Sequence, residues 1–454
     1  MSLDNFFNPK SVAIIGASHT PGKVGYEILK NFVKGGYSGK VFAINPDTTP
    51  ILGQKVYPSI KDVPEKIDLA VIAVPAKTVP QILKECVEKK VKNLVIISSG
   101  FSEIGSKGKK LEEKCKKIVA GKARVIGPNV IGIYDSTTKV DTIFLPLERM
   151  ARPKEGQIAF ISQSGAVGST ILDWLAEAQI GISKFISYGN AMDVNECDLI
   201  EYLANDPKTK VITIFLEGTR DGKRFMKIVK KVSRRKPIIV LKGGKTDIGA
   251  RAVLTHTSSM AGSSKIYSSV FKQIGAIEAA NWEELFDFAK AFTQPLPKGR
   301  KVVIITNGGG FGVLAADEVA REGLQLPEPP HNLKIFLKKF LPEYVSLNNP
   351  IDLMGDATKE RYQIALQACL KSKYHAAIVI VLFQVPTLDP KVVDVIIEMK
   401  KYGKPILCCA SGGKFTSKYT KILESNGIPV YPTPERAVRA LGALVRYSEW
   451  LAKA

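Results

Sequence analysis

The chain has 454 residues, 45% of them hydrophobic, and a formal charge of +22 from 65 Lys and Arg against 43 Asp and Glu. That length exceeds one ordinary domain, and the composition excludes a disordered or fibrous chain. No run of about 18 apolar residues occurs, so no membrane span is expected. The start Met1-Ser2-Leu3-Asp4-Asn5 lacks a basic region followed by an apolar stretch, so no secretory signal is expected either.

The excess charge fits an anionic ligand or partner. It equally fits a lysine-rich solvated surface, because the lysines are spread over many helices without interleaved aromatics. Nucleic-acid binding is not expected. The cysteines (Cys86, Cys115, Cys197, Cys369, Cys408 and Cys409) show no CxxC and no metal-ligand spacing. A reducing, cytoplasmic setting and no metal site on this chain follow as expectations.

Along the chain, short β-branched runs alternate with amphipathic stretches, which predicts parallel α/β sheets. Two Pro-marked breaks, near Leu145-Pro146 to Arg152-Pro153 and at Gln294-Pro295-Leu296-Pro297, divide it. Three domains are expected: a Rossmann-like one over 1–146, and flavodoxin-like ones over 153–293 and 299–454.

The first domain opens with Gly16-Ala17-Ser18, then Gly22-Lys23-Val24-Gly25 leading into a helix. Glycines let backbone approach a phosphate, and a helix N-terminus favours negative charge. The G-x-G-x-x-G fingerprint is not met. The second strand ends in Asn45-Pro46, where NAD recognition wants an acid for the ribose. A nucleotide-like ligand is expected, and an NAD dehydrogenase is a lesser alternative. Loops at the same sheet edge carry Val74-Pro75 and Lys77, Ser98-Ser99-Gly100-Phe101, and Gly127-Pro128-Asn129. In open α/β sheets this edge binds ligands.

Two further strand–turn–helix segments look like phosphate receptors: Ser162-Gln163-Ser164-Gly165 and Asn307-Gly308-Gly309-Gly310. Neither has a Walker lysine, so neither is a P-loop. Each offers a positive helix end, worth about 0.3–1 kcal/mol per exposed charge. Small residues packing a helix onto a sheet would look the same. Of the four histidines, His256 alone sits in a glycine- and hydroxyl-rich run, Thr255-His256-Thr257-Ser258. A histidine able to visit phosphate sites is a candidate phosphoryl carrier. Glu217, closing a strand before Gly218-Thr219-Arg220, can orient an imidazole, or can be a surface partner of Arg220 or Arg224.

Taken jointly, these motifs and Asn349-Pro350-Ile351-Asp352-Leu353 resemble the alpha subunits of ADP-forming acetate–CoA ligases. Those belong to the acyl-CoA synthetase superfamily that includes succinyl-CoA synthetase. The resemblance spans essentially the whole chain. It implies a CoA-binding Rossmann-like domain followed by two ligase domains. It implies that the first-domain loops hold CoA or acetyl-CoA, that His256 is phosphorylated and that Glu217 orients it. The two Gly-rich turns would receive phosphate. It further implies that ADP becomes ATP, with Mg, on a separate ATP-grasp beta subunit, as an α2β2 heterotetramer. The chain departs from the family pattern at Ser258, where relatives often have glycine. The rival reading is a non-catalytic CoA- or nucleotide-binding regulatory protein of the same fold.

Overall fold

The computed structural model describes residues 2–246, 248–249 and 264–453. The fold is α/β with three sheets. The first holds β1 (Ser11–Ile15), β2 (Lys40–Ile44), β3 (Val56–Tyr57), β4 (Leu69–Ile72), β5 (Asn93–Ile96) and β6 (Arg124–Ile126). Their order is β3-β2-β1-β4-β5-β6, every pair parallel. β1, β4 and β5 are buried along their whole length, which is why they read as continuous apolar runs. The order reverses at β1, the switch point where such sheets take ligands.

The second sheet holds β7 (Ile133–Asp135), β8 (Glu155–Ser162), β9 (Ile182–Ser187), β10 (Val211–Leu216), β11 (Ile238–Lys242) and β12 (Ile277–Ala279), ordered β12-β11-β10-β8-β9-β7. The third holds β13 (Val302–Thr306), β14 (Ile351–Asp352), β15 (Ala376–Ile380), β16 (Ile406–Cys409) and β17 (Val430–Tyr431), ordered β14-β13-β15-β16-β17. Leaving aside β7, both follow the flavodoxin-like winding.

The chain forms two compact bodies, Met1–Glu278 and Ala279–Ala454. In the first body one apolar core runs through both sheets: Phe6, Val12 and Ile14 share a cluster with Ile161, Ile186 and Leu199. The expected boundary at 146 left Ile133–Asp135 with the first sheet. It is instead an antiparallel edge of the second, with Asp135 in register with Lys184. Buried Lys184 pairs with Asp135 at 3.1 Å and Asp206 at 2.8 Å, which fixes this crossing. In the second body the helix Trp282–Ala291 packs on the helix Pro434–Lys453. Arg436 holds buried Asp287 through Nε at 2.6 Å and Nη2 at 3.0 Å. This forked pair ties that helix to the C-terminal body. Among the described residues no helix is long and apolar enough to cross a membrane.

Candidate active site

The carboxyl edge of the first sheet is built by short loops that brace one another. At Gly16 the backbone has φ +89°, and an added Cβ would strike the Ala73 carbonyl; one at Gly25 would strike the Gly16 carbonyl. Only glycine at both positions lets the helix Val24–Lys34 start this close to β1. Asn45 Nδ2 donates to the Ala17 carbonyl at 2.5 Å, so the residue that argued against NAD shapes the first turn. Lys23 is the N-cap of that helix. Ser98 Oγ donates to the Val74 carbonyl, and Asn129 N donates to the Ser98 carbonyl at 2.9 Å. The amides of Gly100 and Phe101 both donate to Glu103 Oε1. Burial pushes the Glu103 carboxyl up, but Asn190 and those amides outweigh it and hold it below the usual range.

Across from these loops stands the turn after β8. Ser164 caps the helix Gly165–Glu177, its Oγ accepting from Val167 N at 3.4 Å. Gln163 Oε1 accepts from Glu217 N at 2.8 Å and Gly218 N at 3.2 Å. This side chain therefore joins the Gly-rich turn to the end of β10. Glu217 is 6% exposed, which removes the surface reading. Arg224 pairs instead with Asp198 at 2.7 Å and Glu201 at 3.5 Å. Behind Glu217, buried Lys242 donates to its carbonyl at 2.8 Å and also to the Gly243 carbonyl. The ammonium lies 4.8 Å from the Tyr267 ring centre. Burial holds the Lys242 ammonium below its ordinary value, the Glu217 charge offsetting only part of this.

Between the two sheet edges lies a cavity of about 660 Å³, within the range of small-molecule sites. Of the residues singled out in the sequence, Ser99, Asn129, Gln163, Ser164 and Gly165 line it. The first glycine turn, Asn45-Pro46 and Val74 to Lys77 occupy the same sheet edge outside its walls. The sequence reading missed Asn190 and Glu196 and took Arg220 only as a surface partner of Glu217; all three line it. Asn190 is its hub: Nδ2 donates to Glu103 at 2.6 Å and Glu112 at 2.9 Å, and its carbonyl accepts from Arg220 Nη2 at 3.0 Å. The strand-end turn Tyr188-Gly189-Asn190 was the available signal. Arg220 brings a guanidinium and Ser164–Gly165 a positive helix end to one cavity. Together these can bind an anion. His256, with Thr255, Thr257 and Ser258, lies outside the described residues.

In the second body, Gly308 caps the helix Gly309–Arg321. Asn307 is enclosed: its Oδ1 accepts from Leu382 N at 2.8 Å and Tyr362 Oη at 2.9 Å. The side chain ties β13 to β15. The Asp352 carboxylate lies against Gly309, where an added Cβ would come within 2.7 Å of its Oδ2.

Three family models match in succession: a CoA binding domain over 10–136, a succinyl-CoA ligase like flavodoxin domain over 155–292 and a ligase-CoA domain over 302–453. The chain is 43% identical to acetate–CoA ligase [ADP-forming] I subunit alpha of Pyrococcus furiosus, over 100% of this chain and 99% of that one. It belongs to the ADP-forming acetate–CoA ligase family. The Methanocaldococcus jannaschii member, acetate–CoA ligase [ADP-forming], is 43% identical over 97% of this chain but 62% of its own length. The solved acetyl-coenzyme A synthetase 1 of Ca. Korarchaeum cryptofilum, in complex with phosphate and ADP, superposes with a TM-score of 0.92 at 39% identity, covering 99% and 98% of the two chains.

Proposed function

We propose that this chain is the alpha subunit of an ADP-forming acyl-CoA synthetase, with acetyl-CoA as substrate: acyl-CoA, ADP and phosphate interconvert with acid, ATP and CoA. The observation that carries the reading is the cavity shared by Ser164–Gly165, Arg220 and the first-sheet loops, directly beside buried Glu217. CoA lies along the carboxyl edge of the first sheet, with its thioester end in the cavity. Phosphate sits at the Ser164–Gly165 helix start and attacks the thioester, giving acyl phosphate and CoA. Preorganised amides and the Arg220 guanidinium stabilise the charge that builds there. His256 then takes the phosphoryl group, releasing the acid, while Glu217 fixes the imidazole tautomer. The backbone of Gly308–Gly310 serves as the second phosphate receptor.

Two relatives from Pyrococcus furiosus, 43% and 42% identical over 100% and 98% of this chain, are named as alpha subunits. A partner subunit follows. We assign it the ATP-grasp fold, the nucleotide and Mg, and an α2β2 assembly in the cytoplasm.

The test uses acetyl-CoA with labelled phosphate, and the chain with and without its partner. Acid-labile, base-stable label should appear on the wild type, be absent from His256→Asn, and pass to ADP only with the partner. Equal labelling of His256→Asn would overturn the carrier assignment.

A further inference from the structure

The cavity holds two carboxyl groups whose surroundings differ. Glu103 is engaged by two backbone amides and Asn190. Glu196 is held by one neighbouring hydroxyl and, among the described residues, takes no amide from another loop. It begins the helix Glu196–Asn205, is 5% exposed, and lines the cavity. Its Oε1 accepts from Thr219 Oγ1 at 2.6 Å. Thr219 adjoins Gly218, whose amide is held by Gln163, the neighbour of the Ser164–Gly165 helix start. Glu196 therefore stands one short chain of bonds from the place where phosphate is expected.

A carboxylate in an anion cavity opposes the ligand unless it has proton work to do. Attack of hydrogen phosphate on a thioester has such work: the phosphate must lose a proton and the departing thiolate must gain one. Resting on the function proposed above, we propose that Glu196 is the residue that carries this proton. An oxygen of HPO₄²⁻ attacks the carbonyl carbon as the Glu196 carboxylate takes the attacking group's proton. The carbon–sulfur bond then breaks, its electron pair going to sulfur, and Glu196 gives the same proton to that sulfur. Acyl phosphate and the CoA thiol leave, and the carboxylate is restored.

The surroundings suit a relay. Burial pushes the Glu196 carboxyl up and Asp198 adds to this, while Thr219 and Arg220 act in the other direction. A base moved toward neutrality is better matched to phosphate. The other groups facing it are Tyr188, Cys197 and Tyr267. Tyr188 is fully buried, and its hydroxyl has no hydrogen-bond partner among the described residues.

The experiment compares two half-reactions of the full chain carrying Glu196→Gln. One is release of CoA thiol from acetyl-CoA by inorganic phosphate. The other is labelling of the chain by acetyl phosphate, which bypasses the thioester. Thiol release should fall about 100-fold or more, with labelling within about twofold of wild type. Loss of both in parallel would reveal a structural role and overturn the proposal, as would loss of neither. A wild type that takes no label from acetyl phosphate breaks the phosphohistidine reading instead, and thiol release still reads Glu196. Thr219→Val supplies a second measure that does not depend on the first variant folding. Its hydroxyl stabilises the ionised carboxylate, so removing it raises the carboxyl further. The acid limb of thiol release should then move to higher pH; an unmoved limb would overturn the relay.

Discussion

The turns after β8 and β13 look alike as strings: strand, small polar residues, glycine, helix. In the fold they differ at nearly every neighbour. Ser164–Gly165 opens on a cavity with Arg220 across from it, and Gln163 reaches sideways to the end of β10. Gly308–Gly310 has the carboxylate of Asp352 against it, and Asn307 is enclosed by Leu382 and Tyr362. A positive helix end is thus a resource whose use is decided by what stands in front of it. One turn faces a cavity with a guanidinium; the other has a carboxylate beside Gly309, and an anion brought there would meet both the helix end and that charge.

The comparison breaks most sharply if a carboxylate is written into both turns. A Cβ at Gly165 meets only ordinary contacts at 3.7 Å and beyond, and one at Gly310 meets nothing within 4 Å. Gly165→Asp should lower phosphate-dependent turnover about 100-fold or more by occupying the anion position. Gly310→Asp should cost about tenfold, since Asp352 is already near. Steady-state rates against phosphate concentration read both, and equal losses would erase the distinction.

The anchoring amides give a second contrast. Asn307→Ala strands the Leu382 amide, while Tyr362 Oη keeps the Ile380 carbonyl, and should cost about 1–3 kcal/mol of stability in denaturant unfolding. Gln163→Ala, at a half-buried site, should cost less stability and lose activity instead, because Glu217 and Gly218 are no longer held. A Gln163→Ala enzyme of normal activity and low stability would reverse the assignment. The smallest effect is expected of Asp352→Asn, a loss of about 0.3–1 kcal/mol from one helix end. Turnover at saturating phosphate should be unchanged; a marked fall would make Asp352 part of the chemistry.

The strands and their Gly-rich ends were legible because apolar β-branched runs and glycines act locally. The windings followed from strand–helix alternation. What stayed hidden depends on distant neighbours. Nothing near Asn190 in sequence reveals that it binds Glu103 and Glu112, and nothing near Asp352 reveals Gly309. Glu196 reads as an acidic helix start, which the dipole favours anywhere; its burial comes from packing around Tyr188 and Thr219. Lys242 at a strand end reads as surface, yet it is 3% exposed and bound to two carbonyls. The prolines mark breaks between domains but reveal nothing of the Asp135–Lys184 and Asp287–Arg436 pairs, which join stretches far apart in the chain.

The crossing of β7 bears on how this protein can be cut. A fragment beginning after Pro146 would keep β8 and β9 but lose the short strand that closes the β9 side of the sheet. β9 would then present a bare rim of backbone donors and acceptors, the template on which separate chains pair and precipitate. It would also leave Lys184 facing one carboxylate instead of two. A cut in the first body at the Pro-rich stretch therefore separates β7 from β9, while a fragment that runs from the start of the chain through β12 keeps all six strands of the second sheet together.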